Sequence, residues 1–286
     1  MQGLLIINSA YTKYVDIYEI VSDFYKSVTT EKRVIGKSSL GRDIYAVKVG
    51  EGAPVGLAQY AMHGREYITS LLALRHFEVG VKRGCLWLVP LVNPDGAMLS
   101  CQGIESVHNL ALRKQLIAMN GSEDFSLWKA NARGVDLNVN FDAGWGTGSK
   151  NTRIAGAENY IGKKPFSERE TQALKRFTET LRPDYTVSYH TKGEEIYWYF
   201  YQPMAHLARD KMLALCLSKA TGYPLAHAKG SAGGYKDWCI RKFGIPAFTV
   251  EAGADTLTHP LGKQDLPNVI QANEYALYEL SGDYGE

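Results

Sequence analysis

The stretch that decides the fold is Val55-Gly56-Leu57-Ala58-Gln59-Tyr60-Ala61-Met62-His63-Gly64-Arg65-Glu66. Its largely apolar first part, Val55 to Ala61, predicts a short buried strand, and Tyr67 to Val79 has the periodicity of an amphipathic helix. A second apolar run, Cys85 to Val92, follows that helix. Strand, helix and strand in this order predict a parallel crossover unit whose sheet is buried on both faces.

His63 and Glu66 stand three residues apart, where the predicted strand gives way to the helix. At such a junction an imidazole and a carboxylate with this spacing can converge on one point, as two ligands of a catalytic zinc must. The pair alone also fits a surface histidine near a glutamate that favours the helix dipole. The flanking strand and helix favour the metal, because open α/β sheets bind ligands at the carboxyl ends of their strands.

Two further apolar runs predict strands, one leading into His190 and the other into Glu251. His63, Glu66 and His190 would then form the three-ligand set of a catalytic zinc, with one coordination position open. Glu251 suits the general base that a hydrolase needs beside its metal. Taken singly, His190 also fits a core histidine, and Glu251 also fits a buried carboxylate paired with an arginine. The prediction of one zinc per chain therefore depends on the four residues together.

The remaining segments predict an α/β protein with a mixed, mainly parallel sheet of about eight strands between helices. Helices are predicted around Tyr14, Ile17, Val21 and Phe24, from a capping box of Ser167 and Glu170, and over Pro203 to Ala220, Tyr235 to Phe243 and Asn268 to Leu280. Strands are predicted as a hairpin of Val34-Ile35 with Ile44 to Val49, and over Asp184 to Tyr189 and Ile245 to Val250. Asn93-Pro94-Asp95-Gly96 predicts a turn, and Leu99 to Trp145 a long functional loop.

Length and composition indicate the broad class of protein. The chain has 286 residues, of which 45% are hydrophobic and 22% charged, so residues 1–286 are expected to form a single α/β domain. A net charge of +2 gives no basic field that favours nucleic acid. No apolar run approaches the roughly 20 residues that span a bilayer. The amino-terminal apolar run is too short for a signal peptide, and the four cysteines lack C-x-x-C spacing, so a cytoplasmic protein with reduced thiols is expected.

Five motifs resemble those of the carboxypeptidase A family of zinc metallocarboxypeptidases, the funnelins, and stand in family order. They are His63-Gly64-Arg65-Glu66, Asn93-Pro94-Asp95-Gly96, Gly134-Val135-Asp136-Leu137-Asn138, Ser188-Tyr189-His190-Thr191 and Phe248-Thr249-Val250-Glu251. The resemblance covers nearly the whole chain. It implies the metallocarboxypeptidase fold, zinc held by His63, Glu66 and His190, and Glu251 as general base and acid.

The resemblance also implies roles for residues around the metal. Asp136 would orient the ring of His63 through a hydrogen bond that its carboxylate accepts. Lys129 falls near a family arginine that stabilises the oxyanion, with Arg133 near enough to be the substitute. Asn138 matches an asparagine that binds the terminal carboxylate of the substrate or an equivalent polar group. Thr191, next to a ligand in its motif, is expected among the substrate-binding residues.

Two positions depart from the family pattern. Val139 stands where ordinary members have the arginine that clamps a C-terminal carboxylate, and Lys229 stands where they have a mobile tyrosine. Lys236 aligns with the pocket for the substrate residue that follows the cleaved bond, where a cation suits a side chain with a carboxylate. A solvated lysine on a short helix is an equally good interpretation. Val139 and the stretch Ser188 to Trp198 resemble the bacterial branch that cuts γ-D-glutamyl-diamino acid bonds.

The resemblance therefore predicts hydrolysis of the bond between γ-D-glutamate and meso-diaminopimelate or L-lysine in peptidoglycan stem peptides, with a peptide or muropeptide as partner. Two alternatives stay open. One is a conventional carboxypeptidase that reads its substrate's terminus with Asn138 and a lysine. The other is a catalytically silent member that binds peptide or glycan fragments. The oligomeric state stays open as well.

Overall fold

One sheet of eight strands runs through the described part of the chain. The computed structural model describes residues 16–227 and 230–284. The strands are β1 Lys32–Lys37, β2 Asp43–Gly50, β3 Val55–Tyr60, β4 Cys85–Val89, β5 Tyr185–His190, β6 Glu195–Tyr197, β7 Leu225–Ala226 and β8 Ala247–Glu251. Their order across the sheet is β1-β2-β4-β3-β5-β8-β6-β7. The central pairs β4-β3, β3-β5 and β5-β8 are parallel, and β1-β2 is the predicted hairpin.

Helices cover both faces of this sheet. They are α1 Ile17–Ser27, α2 Thr69–Val79, α3 Pro94–Gln102, α4 Leu110–Asn120, α5 Arg169–Leu181, α6 Met204–Thr221, α7 Tyr235–Phe243, α8 Leu266–Asn273 and α9 Ala276–Asp283. Side chains of β3 alternate between the faces, because Ala58 and Tyr60 pack with α1, α2 and α6, whereas Leu57 packs with α5 and α7. The predicted sheet between helices is therefore confirmed.

The central parallel strands end level with one another. His190 at the end of β5 is in register with Glu251 at the end of β8. On the other side of β5, Tyr189 is in register with Tyr60, the last residue of β3. The chain therefore leaves three neighbouring strands at the same edge of the sheet, and this edge carries the candidate site.

Four details of the predicted elements were wrong. The segment 99–145 is not an irregular loop throughout, because it contains α4. The tetrapeptide Asn93 to Gly96 does not only turn the chain, since Asn93 caps α3. The capping box is absent: Glu168 is the N-cap of α5, and Glu170 accepts a hydrogen bond from the N–H of Ser39 instead. The carboxyl-terminal helix is divided into α8 and α9. Tyr14 lies outside the described residues.

Two sequence expectations concern the whole chain. All four cysteines are free thiols, as expected. Within residues 16–227 and 230–284, no helix has the length and hydropathy needed to cross a membrane. The cytoplasmic location and the assignment of residues 1–286 to one catalytic domain stay predictions.

Candidate active site

Three buried side chains converge at the edge where the parallel strands end. Nδ1 of His63 lies 2.8 Å from Oε1 of Glu66, and Nδ1 of His190 lies 2.9 Å from the other carboxylate oxygen, Oε2. The two Nδ1 atoms are 3.0 Å apart. All three residues are at most 5% exposed. The fold therefore brings the predicted ligand set together as a group that could hold a metal ion.

The donor set of this group fits zinc. Two imidazole nitrogens and a carboxylate are the ligands of open zinc sites in peptidases. Ligand atoms about 2.1 Å from a tetrahedral zinc are roughly 3.4 Å apart, so the three side chains would separate by only about half an ångström. Burial alone would raise the pKa of Glu66, but His63 and His190 outweigh it and hold that pKa well below its usual value. The carboxylate is therefore ionised, as a metal ligand must be.

His63 owes its position to a change of backbone direction after β3. Ala61 has a positive φ of 49°, which turns the chain out of the sheet. Its N–H donates to Oγ1 of Thr69 over 2.9 Å, and its carbonyl accepts from the N–H of Asn93 over 3.2 Å. These hydrogen bonds fix Ala61 and thereby the position of His63.

Gly64 allows two other loops to approach the ligand motif closely. A Cβ at this position would lie 2.4 Å from the carbonyl oxygen of Gly96 and 2.7 Å from that of Trp128. The N–H of Gly64 donates to the carbonyl of Lys129 over 2.9 Å. A larger residue would push these loops away, which explains the glycine that follows His63 in the motif.

The Asn-Pro-Asp-Gly motif joins the surrounding segments. Nδ2 of Asn93 donates to the carbonyls of Met62 and Ala130, both at 3.1 Å. Asp95 is buried, and its carboxylate accepts hydrogen bonds from the turn between β1 and β2. The donors are Oγ of Ser38 at 2.9 Å, the N–H of Leu40 at 2.8 Å and Nη1 of Arg42 at 2.7 Å. The motif thus supports the site without entering it.

Asp136 stands behind the first ligand, where the resemblance puts it. Its Oδ1 lies 3.2 Å from Nε2 of His63, and its Oδ2 lies 3.0 Å from Nζ of Lys129. The N–H groups of Asn138 and Asn159 also donate to this carboxylate, at 3.1 and 3.2 Å. Burial opposes ionisation, but Lys129 and His63 outweigh it and hold the pKa of Asp136 well below its usual value. The carboxylate is therefore fixed and charged.

Glu251 stands at the end of β8, in register with His190 and lining the cleft. Burial is the largest influence on its carboxyl group. Together with the nearby charge of Glu66, and against the opposing charges of His190 and Lys129, burial raises the pKa of Glu251 to about 7. Such a group can both accept and donate a proton near neutral pH.

The cleft beside this group has a volume of about 420 Å³. Lys129, Asn138, Val139 and Lys236 from the predicted set all line it. Lys236 is buried, with Nζ 2.5 Å from Oδ1 of Asp237, so the alternative of a solvated lysine is wrong. The structure therefore collects three of the predicted substrate-binding residues and the predicted oxyanion residue Lys129 around one cavity.

Two of the residues predicted beside the metal group, Arg133 and Thr191, are not among the described residues that line the cleft. Arg133 has a side chain that is 53% exposed, with Nε 3.6 Å from Oε2 of Glu168. Thr191 is buried beside its neighbouring ligand, and its Oγ1 has no hydrogen-bond partner among the described residues. Lys229 lies outside the described residues. Of the two predicted oxyanion candidates, only Lys129 reaches the cavity.

Other cleft residues were missed by the sequence reasoning. They are Ser149, Lys150, Asn151, Asn159, Tyr197, His227 and Ser231, among others. Most lie in loops without a spacing that marks them as functional. A usable signal was the glycine-rich stretch from Gly144 to Gly162, because long loops at a sheet edge commonly carry binding residues.

Comparison with known proteins identifies the family. The model of the zinc carboxypeptidase family matches residues 20–275. The chain belongs to this family. Membership confirms the resemblance, the predicted class of zinc metallopeptidase and the predicted metal. A solved structure of bovine thrombin-activatable fibrinolysis inhibitor, bound to a tick carboxypeptidase inhibitor, has the same fold, with a TM-score of 0.74, 19% identity and 93% of each chain covered.

Two curated relatives are more informative about substrates. Gamma-D-glutamyl-L-diamino acid endopeptidase 1 of Lysinibacillus sphaericus is 34% identical over 251 residues, which are 81% of this chain and 62% of that protein. Murein peptide amidase A of Escherichia coli (strain K12) is 31% identical over 198 residues, 64% of this chain and 65% of that protein. The chain thus spans less than two thirds of the length of either relative.

Proposed function

We propose that this protein hydrolyses the amide bond between γ-D-glutamate and a diamino acid, meso-diaminopimelate or L-lysine, in peptidoglycan stem peptides. The name of the Lysinibacillus sphaericus relative specifies this kind of bond, and the name of the Escherichia coli relative specifies a murein peptide. The partner is accordingly a peptide or muropeptide substrate.

The side chains around the metal group have different roles in hydrolysis. When held by His63, Glu66 and His190, zinc supplies a Lewis acid that polarises the scissile carbonyl and lowers the pKa of water. Glu251 lines the cleft beside these ligands, so its carboxylate takes the proton of the attacking water and returns it to the leaving amine.

Lys129 supplies positive charge on the same side of the cleft. An ammonium group has three N–H donors, and the carboxylate of Asp136 takes one of them, at 3.0 Å from Nζ. The remaining donors are available to the oxyanion that develops on the scissile carbonyl. A lysine does this as a single charge, without the planar fork of an arginine.

The choice of substrate rests on the position of Val139 in the cleft. This valine lines the cleft with a side chain that has no donor, so a buried C-terminal carboxylate would lack a bidentate partner there. Lysines supply charge at other points. Lys150 lines the cleft and has no ion pair among the described residues, and Lys236 has one N–H left after bonding Asp237 and Tyr199. Carboxylates spread along a stem peptide suit this distribution.

Mass spectrometry of products from a panel of peptides tests the proposal. The panel contains L-Ala-γ-D-Glu-diaminopimelate, its L-lysine analogue and blocked dipeptides of ordinary L-amino acids. We expect cleavage between the second and third residues of the first two and little cleavage of the dipeptides. Glu251→Gln, prepared in parallel, controls for contaminating peptidases.

The same panel separates the rival functions. Asn138 lines the cleft and favours a conventional carboxypeptidase as the second candidate. Faster removal of C-terminal residues from common L-peptides than cleavage of the γ-D-glutamyl bond would establish that candidate instead. Binding of stem peptides without turnover by the zinc-loaded protein would establish a silent member.

A further inference from the structure

A second cavity, of about 960 Å³, adjoins the catalytic cleft and takes part in no step described above. The two cavities share a wall formed by His227, Gly230, Ser231 and Ala232. They are therefore neighbouring compartments, and a substrate that fills the first has the second within reach.

The second cavity follows α7 beyond the cleft. Lys236 in the first turn of α7 lines the cleft, whereas Ile240 and Arg241 in the next turn line the second cavity. One helical turn rises about 5.4 Å, which corresponds to one or two residues of extended peptide. A substrate that continues past Lys236 along α7 therefore enters the second cavity.

Lys236 marks the junction between the compartments. Its Nζ donates to the carbonyl of Tyr199 over 3.2 Å and lies 5.4 Å from the centre of the Phe200 ring. Both Tyr199 and Phe200 line the second cavity. A substrate group that reaches this ammonium from the cleft is thus already at the edge of the second compartment.

One wall of the second cavity is an aromatic platform, formed by Tyr199, Phe200 and Tyr201. The ring of Tyr201 is centred 5.7 Å from that of Tyr199 and 5.4 Å from that of Phe200, and Tyr201 is 80% exposed. Buried Gln202 holds the platform. Its Oε1 accepts from the N–H of Phe200 at 2.7 Å, and its Nε2 donates to the carbonyl of Trp198 at 2.8 Å. A fixed and exposed aromatic surface is suited to binding.

Among the described residues that line this compartment, Arg241 supplies a positive charge. It is exposed and has no ion pair among the described residues, whereas Lys236 is paired with Asp237. A guanidinium group beside aromatic rings suits a ligand with a small apolar body and a carboxylate. The end of a short peptide has this chemistry.

We propose that the second cavity binds the part of the substrate that follows the diamino acid, a short peptide extension ending in a free carboxylate. The extension lies on the aromatic platform and its carboxylate pairs with Arg241. This inference rests on the proposed function, which defines the bond that is cleaved, and it adds a binding site for the part of the substrate beyond that bond. Stem peptides that continue past the diamino acid are then preferred over those that end there.

Two matched substrates test this inference: L-Ala-γ-D-Glu-diaminopimelate and the same peptide extended by Ala-Ala. In the wild-type protein, kcat/KM for the extended peptide should be about tenfold higher, since a hydrogen bond to a charged group contributes at least that much. Arg241→Gln should bring this ratio close to one, and amidation of the extension should do the same in the wild-type protein. Lys242→Gln removes the neighbouring exposed charge, outside the lining of the cavity, and should leave the ratio unchanged.

Other outcomes would overturn the inference. An extension without advantage, or an advantage that Arg241→Gln leaves intact, removes the role of the second cavity while the bond assignment stands. If neither peptide is cut, the proposed function fails, and calorimetry with diaminopimelyl-Ala-Ala decides the inference separately. Equal affinities of the wild-type protein and Arg241→Gln would then exclude it.

Discussion

The two sides of the catalytic cleft are built differently. On the metal side, His63, His190 and Glu251 follow or end neighbouring strands of one sheet, and the proposed metal ligands are at most 5% exposed. On the substrate side, the walls come from loop residues 148–151, from Tyr197 and from the start of α7. The sheet thus holds the chemical groups, while specificity lies in segments that can change with less effect on the core.

The strongest test of this contrast removes the metal side's ligands. His63→Ala and His190→Ala should each lose bound zinc and lower activity by at least about a thousandfold, because the Lewis acid is lost. Chelation of the wild-type protein should have the same effect on activity. Far-UV circular dichroism should change little, because the ligands lie at the edge of a large core.

His108→Ala provides the matched control for these variants. His108 is exposed and lies on the loop before α4, away from the cleft. Zinc content measured by mass spectrometry should stay at one ion per chain in this variant. Full zinc occupancy in both His63→Ala and His190→Ala would show that the ligands were wrongly assigned.

Replacing the proposed proton-transfer group, Glu251, should separate chemistry from binding. Glu251→Gln should keep zinc and bind substrate, yet turn over roughly a hundred to ten thousand times more slowly, because an amide cannot take the proton from water. The measurement is kcat with a stem peptide, alongside zinc content. Glu194→Gln alters an exposed carboxylate close in sequence to the adjoining strand β6 and should retain turnover. Normal turnover by Glu251→Gln would place the base elsewhere, with Glu194 and Glu195 the next candidates.

The metal side could be predicted from sequence because its signals are local. Apolar runs mark the buried parallel strands, and His63, His190 and Glu251 lie at or just after their ends. The substrate side gave weaker signals. β6 has three residues and β7 has two, so pairing with neighbours defines them more than any pattern of their own. Lys150 and His227 reach the cleft from segments with no such pattern.

The missed helix α4 shows a related limit. Only Leu116 is buried in it, so the apolar stripe that marks a packed helix is absent. Its ends did carry a signal. Oδ1 of Asn109 accepts from the N–H of Leu112 over 3.0 Å, and Gly121 ends the helix in a left-handed conformation. Capping residues would have revealed an element that hydrophobic periodicity could not.

Burial also has an electrostatic cost away from the lining of the cleft, at Glu170 in α5. Its carboxylate accepts from the N–H of Ser39 at 2.9 Å and from Nδ2 of Asn131 at 3.3 Å. Burial is the main cause that raises the pKa of Glu170 to about 7, and the charges of Asp95 and Glu168 add to it. The two nearby arginines interact with the neighbouring carboxylates and not with Glu170. Arg42 bonds Asp95, and Arg133 lies beside Glu168.

Stability should therefore depend on pH through Glu170. The folded-state pKa lies above the ordinary value of 4.5, so the folded protein holds an extra proton between about pH 4.5 and pH 7. Its contribution to the free energy of unfolding is intact below 4.5, falls through this window and is lost above 7. Glu170→Gln cannot ionise, so between pH 5 and pH 8.5 its free energy of unfolding should gain roughly 2 to 3 kcal/mol relative to the wild-type protein.

Urea unfolding at several pH values measures this difference. Glu179→Gln, on the partly exposed side of the same helix, changes the formal charge equally and should track the wild-type protein. A gap between Glu170→Gln and wild type that does not change with pH would mean that Glu170 is ionised throughout the range. The buried cluster of Glu170, Asp95 and Glu168 would then carry less electrostatic strain than its geometry indicates.

The smallest expected effect lies on the substrate side, at Val139. Its side chain is partly exposed to the cleft, so an arginine there can project into the cavity. Val139→Arg supplies the fork that a free C-terminal carboxylate requires. We expect the ratio of kcat/KM for C-terminal L-peptides to that for the stem peptide to rise about tenfold, the equivalent of one charge-assisted hydrogen bond.

Val139→Met separates charge from size, because it enlarges the side chain without adding a donor. Val139→Met should lower kcat/KM for both the C-terminal L-peptides and the stem peptide without changing the ratio of the two values. Zinc content should stay at the wild-type level in both variants, since Val139 contributes its side chain to the cleft and none to the ligand group. A loss of zinc from Val139→Arg would show that the two sides are coupled. An unchanged ratio with zinc retained would mean that substrate preference is set by the lysines of the cleft rather than by the missing arginine.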